Sequence, residues 1–325
     1  VGCVIVLESK AIAEGYHEKY GEGHAEVNAL AAIPELSREV LSRATAYVTL
    51  EPCSHHGKTP PCANLLIERG IGRVVYALED PNPLVSGSGH SLLKDGGLEV
   101  VGGVLEDEAR LMNRKFLHLQ KSVLPYIVLK WAQSLDGYMD PEMSAAHGRG
   151  GVAITSVETM RHVHQLRAEN SGILVGRKTA EVDNPSLNVR EVKGLNPVRI
   201  VIDPELRLDD SKLKMIGNEG ETWIICKPGF KRHISGAEVK PWLEGGLPEM
   251  LQKLRKNGIH SLLVEGGAFT HGKFLEQGLY NEIYVFKGVG EFGGGLKAPQ
   301  ITQYKSGKVC ETSVGADALW HYIRG

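Results

Sequence analysis

Apolar residues along this chain fall into two alternating patterns. Short continuous runs read as buried strands, and stretches with apolar positions three or four apart read as amphipathic helices. In the first block the patterns predict strands near 2–7, 45–51, 73–78 and 98–104, and helices near 24–33, 62–69, 86–95 and 105–119. The segment from Gln120 to Pro125 reads as a junction. A second block follows, with strands expected near 126–131, 172–176, 197–203, 222–226, 261–265 and 282–287. Its helices are expected near 156–168, 248–257 and 268–277, and residues 138–152, without a clear period, read as a mobile loop. Alternation of this kind predicts α/β sheets covered by helices. No repeat links the blocks, so two different domains are expected, 1–120 and 125–325.

A length of 325 residues suits two domains of ordinary size, and 42% hydrophobic with 23% charged residues suits a normal core. A net charge of −2 argues against a strongly basic nucleic-acid binder. No apolar run approaches the roughly 18 to 20 residues of a membrane span. Five scattered cysteines do not suggest a disulfide scaffold, and a reducing cytoplasm fits them. Val1 to Val6 reads as the interior of a strand, so the natural chain is expected to have residues before Val1. Cys3 then reads as a buried strand residue.

Three residues change the picture. His24, Cys53 and Cys62 are ligands of the kind Zn²⁺ accepts, and three of them leave the fourth tetrahedral position for water, as in catalytic zinc sites. Glu26 is not needed as a ligand and is placed to move protons. This is the donor set of zinc deaminases, in which metal-activated water attacks a ring carbon and ammonia leaves. His24 and Glu26 stand at the start of a predicted helix, where irregular backbone lets both face one site. Cys62 follows Pro60 and Pro61 at the start of another, with Gly70 as its stop. A helix N-terminus favours the thiolate zinc requires. A Cys53–Cys62 disulfide is the alternative. Between these cysteines lie His55, His56 and Lys58. Lys58 is either a partner for a substrate phosphate or a solvated loop lysine. Asp80 and Asn82, after the third strand, are either site residues or plain turn chemistry.

In the second block Glu265, Gly266 and Gly267 join a strand to a helix that continues with Ala268, Phe269 and Thr270. Glycines let backbone approach a ligand, and helix-start N–H groups suit a phosphate. The G-x-G-x-x-G fingerprint is absent. Arg177, Lys178 and Thr179 form a second such junction, able to hold the extra phosphate of NADPH or to be a solvated helix start. Arg167 and Arg190 can grip a phosphorylated sugar bidentately, or be surface arginines.

Together these motifs resemble the bifunctional deaminase/reductase family of riboflavin biosynthesis. The carrying segments are His24–Glu26, Thr49–Cys62, Asp80–Pro83, Lys130–Gly137, Asp183–Leu187, Ile200–Asp203 and Val264–Gly267. The resemblance covers nearly the whole chain. It implies a cytidine-deaminase-like domain followed by a dihydrofolate-reductase-like domain. It also implies zinc-dependent deamination of 2,5-diamino-6-ribosylamino-4(3H)-pyrimidinone 5′-phosphate, then NADPH-dependent reduction of the ribosyl to a ribityl chain. Carried over, His24, Cys53 and Cys62 hold zinc and Glu26 shuttles protons. Arg167, Leu187, Arg190 and Glu265 in the reductase are implied substrate contacts, and Lys58, Asp80 and Asn82 stand as the substrate-contact candidates of the deaminase. Ala132, Thr179, Asp183 and the stretch Gly267, Ala268, Phe269, Thr270 are implied cofactor contacts. An Asn-Pro element that the family carries before its first strand is not in the chain, and Ala153 stands where the family commonly has an aromatic residue. A homo-oligomer, dimer or tetramer, with a small-molecule substrate and neither nucleic acid nor membrane as partner, completes the expectation. Two other readings remain open: a nucleoside or nucleic-acid deaminase with an accessory domain, and a non-enzymatic zinc-stabilised binding protein.

Overall fold

A computed structural model describes all residues except 20, 34–35, 55–59, 83–85, 142–151, 218, 302–307 and 325. The chain divides into two compact units, Val1–Lys121 and Ser122–Gly325.

In the first unit the strands are β1 (Gly2–Leu7), β2 (Lys10–Tyr16), β3 (Thr45–Val48), β4 (Arg73–Tyr76) and β5 (Glu99–Val101). They form one sheet in the order β2-β1-β3-β4-β5. β1 runs antiparallel to both β2 and β3, and β3, β4 and β5 run parallel. The helices are α1 (Ala25–Ala31), α2 (Arg38–Leu41), α3 (Cys62–Arg69), α4 (Ser88–Asp95), α5 (Glu106–Met112) and α6 (Arg114–Lys121). Ala25, Ala29 and Leu30 of α1 and Ala63 and Leu66 of α3 pack with Cys3, Ile5, Ala46 and Val74 of the sheet in one core. Cys3 is buried, as a strand residue should be. Small alanines at the helix–sheet contact let both helix starts approach the same strand ends. Gly70 closes α3 with φ 78°, a left-handed stop that only glycine adopts freely.

The second unit holds β6 (Tyr126–Gln133), β7 (Tyr138–Pro141), β8 (Gly172–Gly176), β9 (Val198–Ile202), β10 (Thr222–Ile225), β11 (Glu238–Lys240) and β12 (Ser261–Val264). β13 (Glu282–Lys287), β14 (Gly295–Lys297), β15 (Lys308–Val314) and β16 (Asp317–Ile323) complete its strands. Nine of them form a sheet ordered β11-β10-β9-β8-β12-β6-β13-β16-β15. The pairings from β11 to β13 are parallel, and β16 and β15 join antiparallel. The helices are α7 (Val157–Ala168), α8 (Arg177–Asp183), α9 (Gly246–Lys256) and α10 (Ala268–Glu276). Both sheet faces are covered, as a parallel sheet requires. Tyr126 and Val128 of β6 pack on the face with Val163 and Leu166 of α7, while Ile127, Leu129 and Trp131 pack with α9 and α10. Lys130 therefore points to the α7 face by the period-2 rule of strands.

Two expectations need correction. The aperiodic segment 138–152 begins with a strand, because Tyr138–Pro141 pairs antiparallel with Gly295–Lys297; its residues 142–151 lie outside the described ones. The helix expected over 105–119 divides at Asn113, whose side chain folds back to donate to Ala109 O at 3.0 Å.

Candidate active sites

The first site forms where two helix starts meet. His24 is the N-cap of α1, with extended backbone (φ −69°, ψ 167°), and Glu26 lies in that helix's first turn. Cys62 is the first residue of α3. Cys53 lies on the loop leaving β3, held by Ala63 N–H to its carbonyl at 3.1 Å. His24 Nδ1 is 3.5 Å from Cys53 Sγ and 3.3 Å from Cys62 Sγ. The three ligand atoms lie within 4.8 Å of one another. Ligands around a tetrahedral zinc, at bond lengths of about 2.0–2.3 Å, stand about 3.5 Å apart. The donor set and its spacing therefore fit Zn²⁺. All five cysteines are free, so the disulfide alternative falls.

Charge explains why this cluster needs a cation. Glu26 is only 3% exposed. Burial, then the charge of Cys53, raises its carboxyl above the ordinary range. Bonding to Cys62 is the chief cause lowering the Cys53 thiol to about 5, with His24 adding to it. The same bond, with burial, raises Cys62.

Asp80 and Asn82 are half-buried after β4. Asp80 Oδ1 accepts the Asn82 N–H at 2.9 Å, so the turn chemistry expected there is real. Lys58 lies outside the described residues.

The second site is built across the sheet of the second unit. Glu265 leaves the end of β12, where Val264 pairs with Leu129 of β6, one residue before Lys130. Arg167, from the last turn of α7, grips Glu265 bidentately: Nε to Oε1 at 2.8 Å and Nη2 to Oε2 at 2.9 Å. Lys130 Nζ lies 3.4 Å from the same Oε2. Burial opposes the Glu265 charge, but Arg167 and Lys130 outweigh it and hold the carboxyl at about 2. Lys130 is lowered from the ordinary lysine range, chiefly by burial. Its ammonium sits 5.9 Å from the Phe286 ring centroid. The sequence reading assigned Lys130 no role. The available signal was one lysine inside the apolar run Tyr126–Trp131.

Arg190 is exposed, and its Nη1 donates to Asn188 Oδ1 at 3.2 Å, while Arg167 Nη1 donates to Asn188 O at 3.3 Å. Both arginines thus meet at Asn188. His164 of α7 anchors that loop by accepting the Arg190 N–H at 3.2 Å on Nδ1. Leu187 is 2% exposed and belongs to the core, with a left-handed φ of 50°. Its side chain is spent on that core, so what it offers a ligand is main chain in a strained loop.

The two glycine junctions abut. Thr179 Oγ1 accepts the Gly267 N–H at 3.0 Å, and a Cβ on Gly176 would fall 2.7 Å from Thr270 Oγ1. One helix-start N–H is therefore already taken by protein. Arg177 is committed too, to Glu181 at 2.9 Å. Ala268 is half-buried and Phe269 is 79% exposed, while Ala132 lies on β6 beyond Lys130. Asp183 ends α8, and desolvation, then the charge of Asp140, raises its carboxyl.

The family description "Cytidine and deoxycytidylate deaminase zinc-binding region" matches residues 1–78, and "RibD C-terminal domain" matches 125–311. The riboflavin biosynthesis protein RibD of Aquifex aeolicus is 42% identical over 301 residues, spanning 91% of this chain and 82% of that protein. Its counterpart in Bacillus amyloliquefaciens is 39% identical over 310 residues, spanning 93% and 81%. A solved structure from Thermotoga maritima, titled a diaminohydroxyphosphoribosylaminopyrimidine deaminase/5-amino-6-(5-phosphoribosylamino)uracil reductase, superposes with a TM-score of 0.85. It is 31% identical, covering 100% of this chain and 91% of that one. These matches show the family: the chain belongs to the RibD family, the bifunctional deaminase–reductases of riboflavin biosynthesis.

Proposed function

We propose that the first unit deaminates the pyrimidinone ring of 2,5-diamino-6-ribosylamino-4(3H)-pyrimidinone 5′-phosphate, and that the second reduces the ribosyl of the product to a ribityl chain. The observation that carries this reading is the cage of one imidazole and two sulfurs within 4.8 Å, with a buried carboxyl that is not one of its ligands. His24, Cys53 and Cys62 are the zinc ligands. Zinc bound there supplies Lewis acidity that brings the pKa of water to about 7. Glu26 takes a proton from the attacking water and delivers it to the departing amine. Its burial outside the ligand set leaves the carboxyl available for both halves of that transfer. Asp80, Asn82 and Lys58 are the substrate contacts of this unit.

In the second unit NADPH supplies the hydride. Thr179, Asp183, Ala132 and Gly267 through Thr270 would hold it, with the hydroxyls and the remaining helix-start N–H groups among them suited to phosphates. Glu265 orients Lys130 and Arg167. Arg167, Arg190 and the Leu187 main chain hold the sugar phosphate. A buried ammonium with a lowered pKa gives Lys130 a proton to donate to the sugar oxygen as the hydride arrives.

The reading extends to a cytoplasmic homo-oligomer with a small-molecule substrate and no nucleic-acid partner. The near-neutral net charge and the free cysteines support it, and no helix among the described residues is long and apolar enough to cross a membrane. A coupled assay tests the whole scheme, following ammonia release and NADPH oxidation separately. Chelation is expected to abolish ammonia release while NADPH oxidation continues on added deaminated product. Ammonia release that survives complete removal of metal would refute the deaminase half.

A further inference from the structure

We propose that Glu51 is a positioning residue of the deaminase, whose carboxylate fixes the Asp80–Asn82 turn and the start of α4 against the loop carrying Cys53. Glu51 is 3% exposed and is not one of the three clustered ligands. Its oxygens accept three main-chain N–H groups. Oε2 takes those of Asp80 at 3.2 Å and Gly87 at 3.1 Å, and Oε1 takes that of His90 at 3.0 Å. Its own N–H donates to Leu78 O at 2.7 Å, which anchors it just beyond β4. The main chain of Glu51 thus meets the segment after β4, and its carboxylate registers the turn that follows and the start of α4.

Two further contacts tie the same segments. Ser54 Oγ lies 2.6 Å from Ser88 Oγ. A Cβ on Gly89 would fall 2.1 Å from Pro52 O and 3.0 Å from Glu51 Oε1, so α4 rests directly on the Glu51–Pro52 backbone. A carboxylate accepts at both oxygens, whereas a glutamine must turn its NH₂ toward at least one N–H and leave that donor unpaired. The link to substrate runs through Asp80. Glu51 holds its main chain, and its side chain in turn sets Asn82.

This inference rests on the reading of Asp80 and Asn82 as substrate contacts, and the test separates the two. Ammonia release is measured on the zinc-loaded full chain for Glu51→Gln, Asp80→Ala, the double variant and Gly89→Ala. Zinc content and NADPH oxidation on supplied product report that each variant is folded. Glu51→Gln is expected to raise KM about tenfold or more with a smaller change in kcat, keeping its zinc; displacements near 1 Å cost up to about 10²-fold. Gly89→Ala, which pushes the same helix start off Pro52, is expected to give the same KM-dominated loss, and it carries the test should Glu51→Gln not fold. In the Asp80→Ala background Glu51→Gln should add little. A KM raised by Asp80→Ala but left unchanged by Glu51→Gln and Gly89→Ala overturns the role of Glu51 while the substrate turn stands. An unchanged KM in Asp80→Ala removes the turn from the substrate site, and the proposal with it. Loss of zinc in Glu51→Gln reassigns the residue to the metal cage, which also overturns it.

Discussion

Glu26 and Glu265 are both buried carboxylates at the centre of a candidate site, and their surroundings are opposite. Glu26 stands beside two sulfurs and one imidazole, and its proton affinity is raised. Glu265 stands between a guanidinium and an ammonium, and its carboxyl is held at about 2. The second cluster carries its own countercharge and is complete as folded. The first gathers electron-rich donors and is completed by a cation from outside. Burial alone therefore does not decide a carboxylate's role; the sign of what lies within hydrogen-bond reach does. One carboxyl sits among metal-type donors, and the other is held ionised by the two cations it bonds.

The largest effect that can break this contrast is at Glu26. Glu26→Gln keeps the shape and the three ligands but removes the proton carrier. It is expected to retain zinc and to lower ammonia release by about 10²–10⁴-fold, the usual worth of a general acid–base group. Metal content and kcat of the purified variant measure both. Near-normal deamination would show that Glu26 carries no proton in the reaction.

The same contrast governs what could be read from the sequence. The metal cage is assembled from two short segments whose local signals are strong. Pro60, Pro61 and Gly70 bracket α3 as expected, and Cys62 opens it. The neighbourhood of Glu265 depends on contacts spanning 135 residues to Lys130 and 98 to Arg167, which no local pattern carries. Lys130 looked like one polar interruption of a strand. Exposure hid other elements. β2 shows no buried residue and no clean alternation, and β14 is exposed throughout, so neither resembles a half-buried strand. β11 is three residues long. Buried central strands such as Gly172–Gly176 and Glu282–Lys287 stand out as apolar runs, and their expected bounds match the observed ones. Leu187 shows a further limit. Its segment is a family motif, yet its side chain serves the core, and only the left-handed backbone reveals the strained loop.

At the second site the decisive substitution is Arg167→Ala. It leaves a buried carboxylate with half its countercharge, and it removes one of the two arginines that meet at Asn188. Breaking a buried charge pair of this kind costs about 2–5 kcal/mol. The loss is expected in NADPH oxidation alone, with ammonia release unchanged. Equal losses in both half-reactions would contradict two independent sites.

The smallest effect is the most diagnostic of the sign difference. Glu265 titrates at about 2 in the fold against 4.5 in an ordinary glutamate. A depressed carboxyl contributes stability that is fully present above the unfolded value and disappears as pH falls through the folded one. Its contribution is therefore constant from neutrality down to about pH 5 and is lost between 4.5 and about 2. The difference corresponds to about 3 kcal/mol. Denaturant unfolding of the second unit, followed across that window, should show the loss. Glu265→Gln should flatten that part of the profile, because an amide does not titrate, while lowering the plateau above it by leaving Arg167 and Lys130 without their anion. A variant whose acid slope matches that of the unmodified chain would mean that other carboxyls set the acid stability. Glu265 would then lose its standing as the pinned counterpart of Glu26.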